Sequence, residues 1–258
     1  MIGAQFIKKL RNLTEILLLP GGLRLKLRHR NFYWKDYRLN LRLKASGVAP
    51  ACIFDVGANE GQFAIGALAA FPGARIISYE PGVGSFARLT QSLANHSGVE
   101  LINKAVGSNV GGAVLHVTNV DQASSLLELG RGHLEAYPEI RETGRESVIV
   151  TTIEEEFRRI TPIGPILLKI DTQGYEMHVL RGAGHALESI RWIVLETASQ
   201  PMYQGEVVFD EIAAWLRERG FAFCGPVELH VNSAGRPLQF DALFERHGTG
   251  QLLRESSS

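Results

Sequence analysis

Ile53-Phe-Asp-Val-Gly-Ala-Asn-Glu-Gly-Gln-Phe63 decides the fold, because an apolar run breaks at two glycines and then resumes at helical spacing. This is a buried strand entering a helix through a turn. Glycines at 57 and 61 keep side chains out of the way of a ligand that approaches the backbone. A dinucleotide fingerprint would place glycine where Asp55 stands, and a carboxylate there repels a pyrophosphate. A nicotinamide-dependent oxidoreductase is disfavoured on that ground. The structural alternative for Asp55 is a helix cap.

Outward from this turn, short β-rich runs alternate with helical stretches, the order that specifies a mostly parallel sheet covered on both faces. Strands are predicted at 51–56, 74–79, 99–104, 113–117, 147–151, 166–170, 192–195, 221–224 and 238–244. Helices are predicted at 61–70, 84–95, 153–160, 175–183 and 209–219, the third opened by a Thr152-x-x-Glu155 capping box. The charged stretch 128–146 has no clear period and reads as an excursion or lid over the sheet edge.

An acid at the tip of the first strand suits a cationic ligand, such as the amino group of a methionine moiety beside a sulfonium. This points to S-adenosylmethionine. The second strand ends in Tyr79-Glu80-Pro81, where a carboxylate can accept hydrogen bonds from both hydroxyls of a ribose. Asn103-Lys-Ala-Val-Gly-Ser108 closes the third strand, which places Lys104 and Ala105 beside the adenine. In Lys169-Ile-Asp-Thr-Gln-Gly-Tyr-Glu176, alternation puts Lys169 and Asp171 on one face. Asp171 ends its strand, where ligands of open α/β sheets sit. The Lys169–Asp171 pair serves either the site or a buried structural salt bridge.

The 258 residues carry no net charge, yet residues 1–48 hold eleven Lys or Arg against Glu15 and Asp36 alone. Met1 to Leu19 is predicted helical, Pro20-Gly21-Gly22 ends it, and Leu23 to Arg30 alternates like a strand or extended segment. Residues 1–48 form a basic extension that either docks on an anionic membrane or packs on the main domain with its charges outward. The domain is expected over 49–250, with a disordered tail at 251–258. No apolar run spans a bilayer, so a cytoplasmic protein is expected, with peripheral membrane contact as the second reading. Cys52 and Cys224 read as buried thiols, and His116 and His230 as structural.

Asp55-Val-Gly-Ala-Asn-Glu-Gly61, Glu80-Pro81, Asn103 to Gly107, Ser124-Ser125-Leu126, Val150-Thr-Thr152, Lys169 to Glu176 and Val179-Leu-Arg-Gly-Ala183 together resemble the FkbM family of S-adenosylmethionine-dependent methyltransferases. The resemblance covers about Cys52 to Cys224. It implies the class I methyltransferase fold, a Rossmann-like seven-stranded sheet with an antiparallel last strand, and O-methylation of a sugar, glycan, glycolipid or related natural product. Asp55, Gly57, Asn59, Gly61, Glu80, Lys104 and Ala105 are then the cofactor residues. Ser124, Ser125, His133, Gln173 and Tyr203 are the acceptor residues. Gln173 stands where relatives often carry Glu.

Methyl transfer from a sulfonium needs positioning and a group to take the hydroxyl proton. Asp171 is the first candidate, with Lys169 and Glu196 beside it. A second reading places Mg²⁺ between Asp171 and Glu196. The basic arm suggests an anionic or lipid-linked acceptor, and a homo-oligomer is compatible with the sequence. Nucleic acid is not expected as a partner, since no basic, aromatic-interleaved stretch marks the core. A non-catalytic or membrane-docking module that keeps the fold is the alternative.

Overall fold

The computed structural model describes residues 10, 12–93, 96–231 and 237–247. Its strands are β1 (Cys52–Val56), β2 (Arg75–Tyr79), β3 (Val99–Ile102), β4 (Ala105–Val106), β5 (Gly111–Thr118), β6 (Glu142–Thr151), β7 (Ile166–Ile170), β8 (Ile190–Ala198), β9 (Phe221–Val231) and β10 (Pro237–Arg246). The α-helices are α1 (Gly22–Arg28), α2 (Trp34–Ala45), α3 (Gln62–Ala70), α4 (Val83–Leu93), α5 (Arg131–Ala136), α6 (Ile153–Ile160), α7 (Glu176–Arg181) and α8 (Phe209–Arg217).

Seven strands form one sheet in the order β3-β2-β1-β7-β8-β10-β9. All run parallel except β10, which is antiparallel to both neighbours. The expected class I architecture is therefore present. Chain order reverses at β1, between β2 and β7, and such a switch point opens a crevice beyond the carboxyl ends of the strands.

Both sheet faces are covered. Cys52, Phe54 and Val56 of β1 pack with α6, α7 and α8, where Ile153, Val179, Leu180, Ile212 and Leu216 are buried. Ile53 packs on the other face with α2, α3 and α4, where Tyr37, Leu43, Phe63, Ile65 and Leu89 are buried. The helix α6 begins as its capping box dictates, with Thr152 Oγ1 accepting the Glu155 amide at 3.1 Å. A second sheet, β4-β6-β5, closes over Ala105, Leu115, Val148 and Val150.

The chain departs from its local signals in four places. Leu23 to Arg30 is largely the helix α1, because left-handed Gly21 (φ 71°) turns the chain and lets Leu25 reach the core. The helix α2, unmarked by any cap signal, is fixed from outside: Asn40 Nδ2 donates to the Phe63 carbonyl, and Arg38 and Arg42 grip Glu228 of β9. The stretch 128–146 holds α5 and the start of β6. Cys224 is exposed on β9. The predicted helix over Met1–Leu19 lies partly outside the described residues, with 12–18 helical, and the tail 251–258 lies wholly outside them.

Candidate functional site

A cavity of about 620 Å³ lies at the carboxyl ends of β1, β2 and β7, with Leu115 and Val117 of the second sheet on its wall. Its size suits a small molecule. On the β2 side of β1 stands Glu80. The Asn59 amide donates to its Oε2 and the Gly82 amide to its Oε1, each at 2.9 Å. Burial pushes the Glu80 carboxyl up to about 7, against the downward pull of those two amides. Gly57, Asn59, Lys104 and Ala105 line the same region. Gly57 has φ +77°, and a Cβ there would lie 1.8 Å from the Asp171 carbonyl oxygen, so only glycine fits.

Asp55 does not line this cavity. Its carboxylate is wholly buried, accepts from Ser78 Oγ at 3.1 Å and pairs with Lys169 Nζ at 3.2 Å. The cause is register: β1 and β7 run parallel with Asp55 beside Lys169. The expectation that Asp55 meets a cationic ligand directly is corrected accordingly. Gly61 is also away from the cavity, where its missing side chain admits Leu89 and Leu93 of α4. Lys169 further donates to the Gly57 carbonyl at 3.0 Å and lies 3.7 Å from Asp171. Burial opposes its charge, but Asp55, Asp171 and Asp36 outweigh that and hold the ammonium well above the usual lysine range. A lysine so protonated is a counter-charge and cannot serve as a base.

Asp171, Gln173, Glu196, His230 and Asp36 also line the cavity. Gln173, in left-handed backbone with φ 56°, donates from Nε2 to Asp171 at 2.9 Å and to Glu196 at 2.7 Å. Its Oε1 accepts the Tyr203 hydroxyl at 2.8 Å. Glu176 holds the loop below, accepting the Thr172 and Gly174 amides. Glu196 also accepts from Gln239 at 3.0 Å, and burial followed by the nearby Asp171 raises its carboxyl well above the usual range. His230 Nε2 lies 3.0 Å from Asp241 and 3.6 Å from Glu196. Burial opposes its charge, but the Asp241 hydrogen bond and the Glu196 charge push its imidazole up to about 9.

The remaining acceptor candidates divide. Ser124 and Ser125 line the cavity, and Ser125 Oγ donates to the Gln173 carbonyl at 2.7 Å. Tyr203 is buried behind Gln173. His133 is buried in α5 with its ring 5.3 Å from those of Tyr137 and Tyr203. Neither lines the cavity: Tyr203 packs in a cluster with Ala198 and Met202, and His133 lies against the Tyr203 ring.

The profile of the Methyltransferase FkbM domain matches residues 55–223. The chain belongs to this family. The chain is 26% identical over 161 residues to the 2-O-methyltransferase NoeI of Sinorhizobium fredii, an alignment covering 60% of this chain and 66% of NoeI, just under two thirds of that relative's length. It is 27% identical over 195 residues to the methyltransferase sdnD of Sordaria araneosa, covering 66% of this chain and 73% of sdnD. A solved Klebsiella pneumoniae protein assigned as an O-methyltransferase shares the fold, with TM-score 0.53 at 14% identity over 92% of this chain and 96% of that one.

Within the FkbM domain, the donor set between Asp171 and Glu196 does not fit Mg²⁺. The Gln173 amide already donates to both carboxylates and places hydrogens where a cation would need lone pairs. Among the described residues, no cluster of three or more His, Cys, Asp or Glu could hold a metal ion. Sequence reasoning missed Asp36, which α2 brings to the cavity from outside the family-matched span, and His230, read as structural. The available signal for His230 was its spacing, two residues after Glu228 on one strand face, while Asp241, the register partner of Glu228, reaches it diagonally.

Proposed function

We propose that the FkbM domain transfers a methyl group from S-adenosylmethionine to a hydroxyl of a neutral, hydroxyl-rich acceptor such as a sugar or glycan. The observation that carries this reading is one continuous cavity with Glu80 on the β2 side of β1 and the Asp171–Gln173–Glu196 group on the β7 and β8 side. The bound donor supplies a methyl group already activated on a sulfonium. Glu80 has spare lone pairs on both oxygens for the ribose hydroxyls, while the Asn59 and Gly82 amides fix its orientation. Ala105 leaves room for the adenine.

On the β7 and β8 side, the chain's work is to hold a hydroxyl oxygen about 3 Å from the methyl carbon, which supplies much of the rate through effective molarity. Asp171 accepts the hydroxyl's hydrogen bond, and Gln173 and Lys169 keep its carboxylate in place. Asp36 shares this wall, and burial pushes its carboxyl up to about 7 against the pull of Lys169. That proton affinity suits a base working near neutral pH. A neutral acceptor is favoured over an anionic one because the cavity's cations already face acids: Arg88 faces Glu60 and Asp121, Lys104 faces Glu156, Lys169 faces Asp55, and His230 faces Asp241. The 2-O-methyltransferase designation of NoeI supports a hydroxyl acceptor.

Titration calorimetry with S-adenosylhomocysteine tests the donor half. Radiolabelled methyl transfer to a panel of mono- and oligosaccharides tests the acceptor half, with the methylated position read by mass spectrometry. A folded wild-type chain that binds no S-adenosylhomocysteine would end this reading.

A further inference from the structure

We propose that residues 12–30 dock the protein on an anionic lipid bilayer. This arm folds back at Pro20-Gly21, burying Ile16 and packing Leu19 and Leu25 against the core. Its other leucines turn outward: Leu13 is 47% exposed, Leu17 58%, Leu18 76%, Leu23 45% and Leu27 80%. Leu13 and Leu17, like Leu23 and Leu27, are four residues apart and form a ridge on each side of the turn. Single exposed leucines are ordinary, but five on one short arm make a patch of the kind that marks an interaction surface.

Charge selects the partner. Arg24, Lys26, Arg28 and Arg30 are all exposed, and among the described residues none of the four pairs with a carboxylate. The arm's one acid, Glu15, is taken by Arg38 at 3.5 Å. The outer surface therefore combines uncompensated positive charge with leucines, the pattern that lies in an anionic headgroup layer with its apolar side chains inserted. A second copy docked through a two-fold axis would set these cations against each other. The arm and the residue that follows it are also tied to α2 and α4. Tyr37 hydroxyl donates to the Pro20 carbonyl at 2.7 Å, and Asn31 Nδ2 donates to Ser92 Oγ at 2.7 Å. The adjoining Tyr33 and Asp36 line the cavity itself. Docking would hold the cavity close to the membrane surface, whatever chemistry the cavity performs.

Flotation of the full chain with extruded phosphatidylcholine vesicles, with and without phosphatidylglycerol, tests this. Binding is expected only with phosphatidylglycerol and should weaken as salt rises. A basic residue near such a surface contributes about fivefold, or about 1 kcal/mol. The double variant Arg24→Gln/Arg28→Gln should therefore lose about 25-fold in partitioning. Leu23→Ser/Leu27→Ser should also lose more than about tenfold at unchanged charge, since transfer of buried methylenes contributes to anchoring. Both variants change exposed side chains and should melt with the wild type. Absence of binding to phosphatidylglycerol vesicles, or binding that neither variant weakens, overturns the proposal. So does a dimer in sedimentation equilibrium that the leucine variant dissociates.

Discussion

Replacing Asp55 with Asn separates the two roles that its place at the tip of β1 could give it. The carboxylate is wholly buried, and its ionic partner Lys169 is only 7% exposed. Removing one partner of a buried pair leaves the other charge uncompensated, at a cost of about 3–5 kcal/mol. Asp171, 3.7 Å from the ammonium but 37% exposed, replaces little of what is lost. A domain of this size shifts by about 2–4 °C per kcal/mol, so Asp55→Asn should lower Tm by roughly 6–20 °C. The double variant Asp55→Asn/Lys169→Met removes both charges and should recover most of the loss. Thermal unfolding by circular dichroism reads the stability, and calorimetry with S-adenosylhomocysteine reads binding. If Asp55→Asn melted within about 2 °C of wild type while losing binding, the carboxylate would be touching ligand and the buried-pair argument would fail.

With Glu80 holding the donor as proposed, binding should depend on pH. With the folded Glu80 carboxyl at about 7, donor affinity should fall roughly tenfold per unit below that pH and level off above it, because the ionised form accepts the hydroxyls. Glu80→Gln should flatten the profile, and an unaltered slope would remove Glu80 from the ligand. The same shift acts on stability: the unfolded carboxyl ionises first, so this group's contribution declines between about pH 4.5 and 7. Gln173→Glu would set a third carboxylate against Asp171 and Glu196. It should cost about 2–4 kcal/mol at pH 8 and less at pH 5.5 in thermal melts, whereas equal stability at pH 8 would mean that the amide bridge is absent. Arg38→Ala/Arg42→Ala strands the buried Glu228, so urea unfolding should register a loss of about 2–3 kcal/mol after allowance for the half-exposed Arg42. A smaller change would show that α2 is held by its apolar face alone.

Outside the stretch 128–146, the local grammar of the domain was legible. Two glycines after an apolar run define the turn from β1 to α3, an acid after Tyr79 marks the end of β2, and a capping box starts α6 where it is observed. Each of these signals lies within a few residues of the structure it specifies. Where a local pattern admitted two periods, as at Leu23, Leu25 and Leu27, contact with the rest of the molecule chose the helix.

By itself, then, the sequence determined the alternation of strands and helices within the domain and the sheet class, because backbone dihedrals, caps and hydrophobic periodicity are set by near neighbours, while its linked motifs pointed to the family. The tertiary structure alone decided which side chains meet. Parallel register turned Asp55 toward Lys169 and away from the cavity. The antiparallel insertion of β10 set Asp241 beside His230, and α2 carried Asp36 across to the same wall from well before β1. Those meetings depend on connections that span much of the chain, and no spacing within a single element encodes them.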